Sequence, residues 1–201
     1  MIEVVKPQIG DLADIARLHR EVFPGFFLTK LGDKFLRELY MGFLVQSSGI
    51  LFVAKDGIEL VGFVAGAAEP DVFFSGLRRR RWASFLIKAI PAAMKSPLLV
   101  CRKLYAAMFY KGDAPLASKS WALLSSLGVS THYRGTAVAE LLLASFEAEA
   151  MKAHASHVYL MTDSSGNERV QAFYSKNNYM VESCFLQHGC RPMYRYLKHL
   201  L

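Results

Sequence analysis

Three cysteines in 201 residues, at positions 101, 184 and 190, are too few and too irregularly spaced for a disulfide framework or a zinc site. No apolar run reaches the ~18–20 residues that would span a bilayer, because Lys, Arg or Pro interrupts each one. The N-terminal stretch Met1 to Lys6 lacks the layout of a secretory leader and reads as a strand. Low-complexity linkers and internal repeats are also missing, so a single domain spanning residues 1–201 is expected, in a reduced, cytoplasmic setting. Acidic residues are the scarcer charge, 17 against 24 basic, giving a formal +7. That balance favours a polyanionic partner, whether a phosphorylated cofactor, an anionic membrane surface or nucleic acid. The basic residues cluster in one short run without a nucleic-acid-reading motif, so a nucleic-acid role ranks last.

Hydrophobic residues make up 53% of the chain, and their spacing gives the elements. Ile2–Val5 alternates as a first strand. Residues 11–23 form a helix with Asp11 at its N-cap and Leu12, Ile15, Leu18 and Val22 on one side, ended by Pro24-Gly25. A loop through Phe26, Phe27 and Thr29 leads to a second helix over Asp33–Val45. Strands over 50–55 and Glu59–Ala67 flank Asp56-Gly57, a hairpin signal. Residues 70–118 exceed any hairpin connection and read as a helical insertion, interrupted by Pro91 and Pro97 and resuming over 98–110. Its run of Arg78, Arg79, Arg80 and Arg81, beside Phe73, Phe74, Trp82, Phe85 and Leu86, suits either a solvated face or contact with a membrane surface or amphiphile.

Residues 126–179 carry the chemistry. The apolar run Trp121–Val129 reaches a polar break, Ser130 to Gly135, and then a small-residue helix start, Thr136-Ala137-Val138-Ala139. A further strand over 157–161 completes a crossover unit. Such a unit aims unpaired N–H groups and the positive end of a helix dipole at the strand ends, which suits a pyrophosphate. An ordinary strand-to-helix turn, with Gly135 taking an awkward dihedral, is the plainer alternative.

Two motifs then stand out. Arg134-Gly135-Thr136-Ala137-Val138-Ala139 resembles the R/Q-x-x-G-x-G/A signature of the GNAT superfamily of acetyl-CoA-dependent N-acetyltransferases, departing from it at Ala137. The segment from Asn167 through Phe173-Tyr174 to Asn178-Tyr179 is similar to the family's second motif, with Asn178 where a glycine is usual. Asn tolerates positive φ, so it suits the turn after the helix. The resemblance implies an α/β (α+β) fold whose mixed, mostly antiparallel sheet is splayed open and flanked by helices, with the insertion lying between strands 3 and 4. It implies acetyl-CoA as cosubstrate, its pyrophosphate held by backbone N–H groups of Arg134, Gly135, Thr136, Ala137, Val138 and Ala139. Backbone groups of Leu127 and Val129 would pair with the pantetheine arm, and Asn167 would bond that arm or cap its own helix.

Tyr174 is the expected general acid for the departing thiolate. A free phenol is ~1.5 pKa units weaker as an acid than a free thiol, ~2 kcal/mol, so a strengthening hydrogen bond suffices in place of full transfer. A core role, with Val170 and Phe173 on the same helix face, is its alternative. Glu69 is the chosen general base, with Asp163 and Glu182 as further candidates, although each also suits a solvated strand end. Gly128 marks either a bulge that opens the sheet or a bulge alone, and His132 could assist phosphate binding. Residues 180–186 and 193–197 read as closing strands, and an exposed edge there suits a homodimer. The expected function is acetyl transfer to an amine by direct attack, the amine being a small molecule or a sugar amine. A CoA-binding module with weak turnover is the competing reading, motivated by Ala137.

Overall fold

From Leu60 to Ala67 every residue of the strand Glu59–Ala67 (β3) is buried, because helices cover both faces of the sheet at its centre. The structure, a computed structural model, describes residues 1–95, 120–187 and 191–200. Seven strands form one sheet: β1 (Ile2–Val5), β2 (Gly49–Asp56), β3, β4 (Trp121–Val129), β5 (His157–Asp163), β6 (Met180–Gln187) and β7 (Arg191–His199). Their spatial order is β1-β2-β3-β4-β5-β7-β6. Every neighbouring pair is antiparallel except β4 and β5.

Three helices, α1 (Leu12–Val22), α2 (Phe27–Lys30) and α3 (Asp33–Val45), precede the β2–β3 hairpin. The long α4 (Pro70–Lys95) follows β3, α5 (Val138–Lys152) joins β4 to β5, and α6 (Glu168–Lys176) follows β5. α1, α3 and α4 bury Ile15, Leu36, Phe43 and Phe73 against one face of the sheet, with Val53 and Phe63 beneath them. On the other face α5 sets Leu142 and Phe146 against Val61, Val64 and Val158. The 3- to 4-residue apolar spacing read along α1 and α3 is thus the face each lays on the sheet.

Two local expectations change. Asp11 stands before α1 without capping it by its side chain; its carboxylate instead accepts bonds from the Gln8 N–H and the Lys55 ammonium, both at 2.8 Å. Helix α4 continues through Pro91 to Lys95. A proline this close to a helix end forfeits one backbone N–H, while Phe73, Leu77 and Ala89 anchor the helix upstream. The expected helix over 98–110, Pro97, Cys101 and Cys190 lie outside the described residues. Asn178, in contrast, has φ +66°, as its place in the turn after α6 requires.

Part of the basic run is structural. Glu38, 7% exposed on α3, accepts bonds from Arg81 at 2.5 Å and from Lys88, tying α3 to α4. Burial alone would raise its pKa, and the bonds from Lys88 and Arg81 outweigh that and hold it below the usual carboxylate value. Both cations are partly solvated, so the net worth is modest. Glu38→Ala is expected to lower stability by about 1–2 kcal/mol in urea unfolding, with an unchanged m-value.

Candidate functional site: a notch between two parallel strands

The parallel pairing of β4 with β5 lasts three residues, Trp121↔His157, Ala122↔Val158 and Leu123↔Tyr159. Beyond it the strands separate. β5 stays with β7 through Asp163↔Met193, and β4 stays with β3 through Val129↔Gly62. A bulge accompanies the parting: Ser126 faces Ala65 and Leu124 faces Gly66, leaving Ser125 without a β3 partner. An extra residue bends a strand and increases its twist. The irregularity therefore lies at Ser125 rather than at Gly128. Gly128 serves a close approach instead, since a Cβ there would stand 2.8 Å from both the Phe63 ring and Val22.

The parting leaves a cavity of about 430 Å³. Ser125, Ser126 and Leu127 line it from β4, Thr162 and Asp163 from β5, and Asn167, Val170 and Tyr174 from α6. The spacing 167, 170, 174 places these three on one helix face. So Leu127, Asn167 and Tyr174, far apart in sequence, come together. Asn167 stands at the N-cap position of α6 without capping it; its side-chain amide donates to the Thr162 hydroxyl. Val129 is two residues past Leu127 at the strand end and half-buried.

Tyr174 is 5% exposed, with its ring against Tyr179 and Tyr196, centroids 5.5 and 6.1 Å away. Burial pushes its pKa well above the ordinary phenol value, so the hydroxyl stays protonated through the working pH range. Among the described residues nothing hydrogen-bonds that hydroxyl.

The carboxylates divide differently from expectation. Asp163 is held by Arg191 in two bonds of 2.5 and 2.6 Å, and the guanidinium lies 5.1 Å over the Phe26 ring. Glu182 is exposed on β6 and accepts from Arg195 at 3.2 Å. Glu69 is exposed and does not line the cavity. Because β3 runs antiparallel to β4, it ends opposite Leu123, at the closed end of the notch. The structure thus does not bring Glu69 to the site, for a topological reason.

His19 was not anticipated. It lines the cavity from α1 at 3% exposure, and its Nδ1 lies 2.6 Å from the Tyr40 hydroxyl. Burial lowers its pKa to about 4. The folded value lies below the unfolded value of ~6.5, so this neutral imidazole supports the fold fully above that pH and progressively less as pH falls toward 4. About 3 kcal/mol of stability should vanish across that window, before most carboxylates titrate. His19→Gln should flatten the pH dependence of the urea midpoint there; an unchanged slope would show that the imidazole does not carry it. His157, lowered by burial and by His199, acts in the same direction.

After β4, a 3₁₀ turn (Thr131–Tyr133) leads into the loop 134–137 and α5. Gly135 has φ +81°, and Thr136 turns its hydroxyl back to the Tyr133 carbonyl at 2.6 Å. Ala137 has φ −71° and an exposed side chain, a conformation open to any residue. Val138 is buried and pins the helix start to the core. Among the described residues the N–H groups of Gly135, Ala137, Ala139 and Glu140 have no backbone acceptor. Arg134 is exposed, and so is Arg169 from α6, whose Nη2 lies 4.0 Å from where a Cβ on Gly135 would stand. Neither forms an ion pair among the described residues. Exposed N–H groups at the start of a 15-residue helix, flanked by two arginines, are chemically suited to an anionic group. Arg169, 34 positions from Gly135 in the chain, carries no sequence signal of that proximity.

The family model for the GNAT acetyltransferase family matches residues 12–179, taking in both the notch and the loop. The chain belongs to the GNAT acetyltransferase family. It is similar in fold to the PaiA N-acetyltransferase of Thermoplasma acidophilum, solved with coenzyme A, at 17% identity and TM-score 0.60 over 99% of each chain. An aminoglycoside 6′-acetyltransferase of type Ii gives 17% identity and TM-score 0.63, over 99% of this chain and 97% of that one. The ribosomal-protein-S18-alanine N-acetyltransferase of Escherichia coli gives 10% and 0.61, over 100% and 94%. No curated protein matches the sequence. As a GNAT acetyltransferase the protein uses acetyl-CoA, and the unpaired edge of β4 and the free N–H groups of the loop fit that cosubstrate. Among the described residues no helix is long and apolar enough to cross a membrane, and no group of three or more His, Cys, Asp or Glu could hold a metal ion.

Proposed function

We propose that this GNAT acetyltransferase acetylates a primary amine by direct attack in the notch. One observation carries the reading: the β4–β5 ladder stops at Leu123↔Tyr159, and the space it opens is lined by both the free edge of β4 and Tyr174. Acetyl-CoA supplies an acyl thioester, activated toward amines, whose leaving group is a thiolate. Backbone N–H groups at Gly135, Ala137, Ala139 and Glu140, with Arg134 and Arg169, hold its diphosphate; Thr136 and Val138 shape the loop around it. Leu127 and Val129 present the β4 edge to the pantetheine arm, which adds as a partial strand, and Asn167 contributes an amide beside it. Tyr174, protonated and with no hydrogen bond to its hydroxyl among the described residues, donates to the sulfur as charge develops there.

Among the described residues lining the notch the carboxylate is Asp163, and it is committed to Arg191 rather than free for the amine's proton. The amine therefore enters deprotonated or loses its proton to water at the open mouth. Incubation with labelled acetyl-CoA and a panel of primary amines tests the proposal: acetylamide product and stoichiometric free CoA are expected. Tight CoA binding with no product from any amine would favour a binding module instead.

A further inference from the structure

A second cavity, about 590 Å³, lies between α3 and α4. Its wall is aromatic and aliphatic, with Phe35, Leu39, Phe43, Phe85 and Trp82 as the main contributors. Among the described residues, two line both this chamber and the notch: Ser125, pushed out of the β4 ladder by the bulge, and Leu28 of α2. The bulge that opens the sheet thus also sets one cavity beside the other.

Building on the transferase reading, we infer that the acceptor is an amine carrying an apolar tail, with its amino group in the notch at Ser125 and its tail in the chamber between α3 and α4. Three observations converge on this class. The chamber adjoins the reacting space, so a tail can enter it while the nitrogen faces the notch. Its described walls, mostly aromatic and aliphatic, offer little hydrogen bonding to a sugar or amino-acid acceptor, whose polar groups would lose their water without replacement. Among the described residues the exposed charged member of its wall is Arg79, whose guanidinium repels the second ammonium of a polyamine. An alkyl or arylalkyl tail meets none of these penalties.

Two measurements test the inference, one independent of turnover. In the Trp121→Phe variant, Trp82 is the remaining tryptophan and lines the chamber. N-Octylacetamide should change its emission saturably, and Ser75→Phe, which fills the chamber from an exposed wall position, should abolish that change while the affinity for CoA stays unchanged. Across propylamine to octylamine, kcat/KM should rise about fourfold per methylene until the chamber is full, and should exceed that for spermidine or glucosamine by at least about 10²-fold. No saturable change in Trp82 emission, or hydrophilic amines turned over as well as octylamine, would overturn the chamber assignment and leave the transferase reading standing. Saturable binding of the amide with no acetylation of any amine would support the chamber and sink the transferase reading.

Discussion

Tyr174→Phe should lower kcat by about 10²–10³-fold while leaving the affinity for CoA and the thermal midpoint nearly unchanged. The expectation follows from the hydroxyl's surroundings. It is buried, its pKa is pushed above the ordinary phenol value, and no described residue bonds it. Phenylalanine keeps the ring and its contacts with Tyr179 and Tyr196, so the substitution deletes no bond of the resting fold. What it deletes is a donor that meets charge only when the thiolate departs. Interactions stronger in the transition state than in the ground state appear in kcat rather than in binding. A variant within about threefold of the native kcat would reassign the phenol to packing and leave departure of the thiolate to water. Loss of stability with retained turnover would point the same way.

The ease of reading this chain differed from residue to residue, for physical reasons. Helix α3 and strand β3 were legible at their observed bounds because hydrophobic period and hairpin chemistry are local. The turn at Gly135 was legible because glycine leaves a mark wherever the backbone takes a positive φ, here +81°. The notch was legible only through the family resemblance. Its cause, the Ser125 bulge, comes from register against β3, and a serine in an apolar strand does not announce a skipped partner. Glu69 stands away from the notch because a residue ending an antiparallel strand lies at the end opposite that of its neighbour, a relation that local sequence does not carry. His19 carried a faint signal, a polar residue four positions after Ile15 on the apolar side of α1. Only the packed structure shows it against Tyr40 and the cavity. Helix α4 runs through Pro91 because burial of Phe73, Leu77 and Ala89 offsets the lost N–H bond and the ring's clash with the preceding turn, and such packing is not local in the sequence.

Gly135→Val should weaken CoA binding by about 10²-fold, and Ala137→Gly should leave it within about threefold. The pair separates two glycine-like positions in one loop. Gly135 has φ +81°, where an L side chain costs roughly 1–2 kcal/mol and a β-branched one more. A valine there drives the loop out of that conformation and its side chain toward the Arg169 guanidinium, which stands 4.0 Å from the Cβ position. The N–H groups of Ala137 and Ala139 then lose their common aim. Two charge-assisted bonds at about 1.5 kcal/mol each amount to that hundredfold. Ala137, at φ −71° with its methyl exposed, needs no such freedom, so glycine gains nothing in geometry and adds only a little chain entropy to be lost. Calorimetric titration with CoA, at one fixed ionic strength, measures both. Tighter binding in Ala137→Gly by tenfold or more would mean that the methyl does crowd a phosphate. An unaffected Gly135→Val would place the diphosphate somewhere other than this loop.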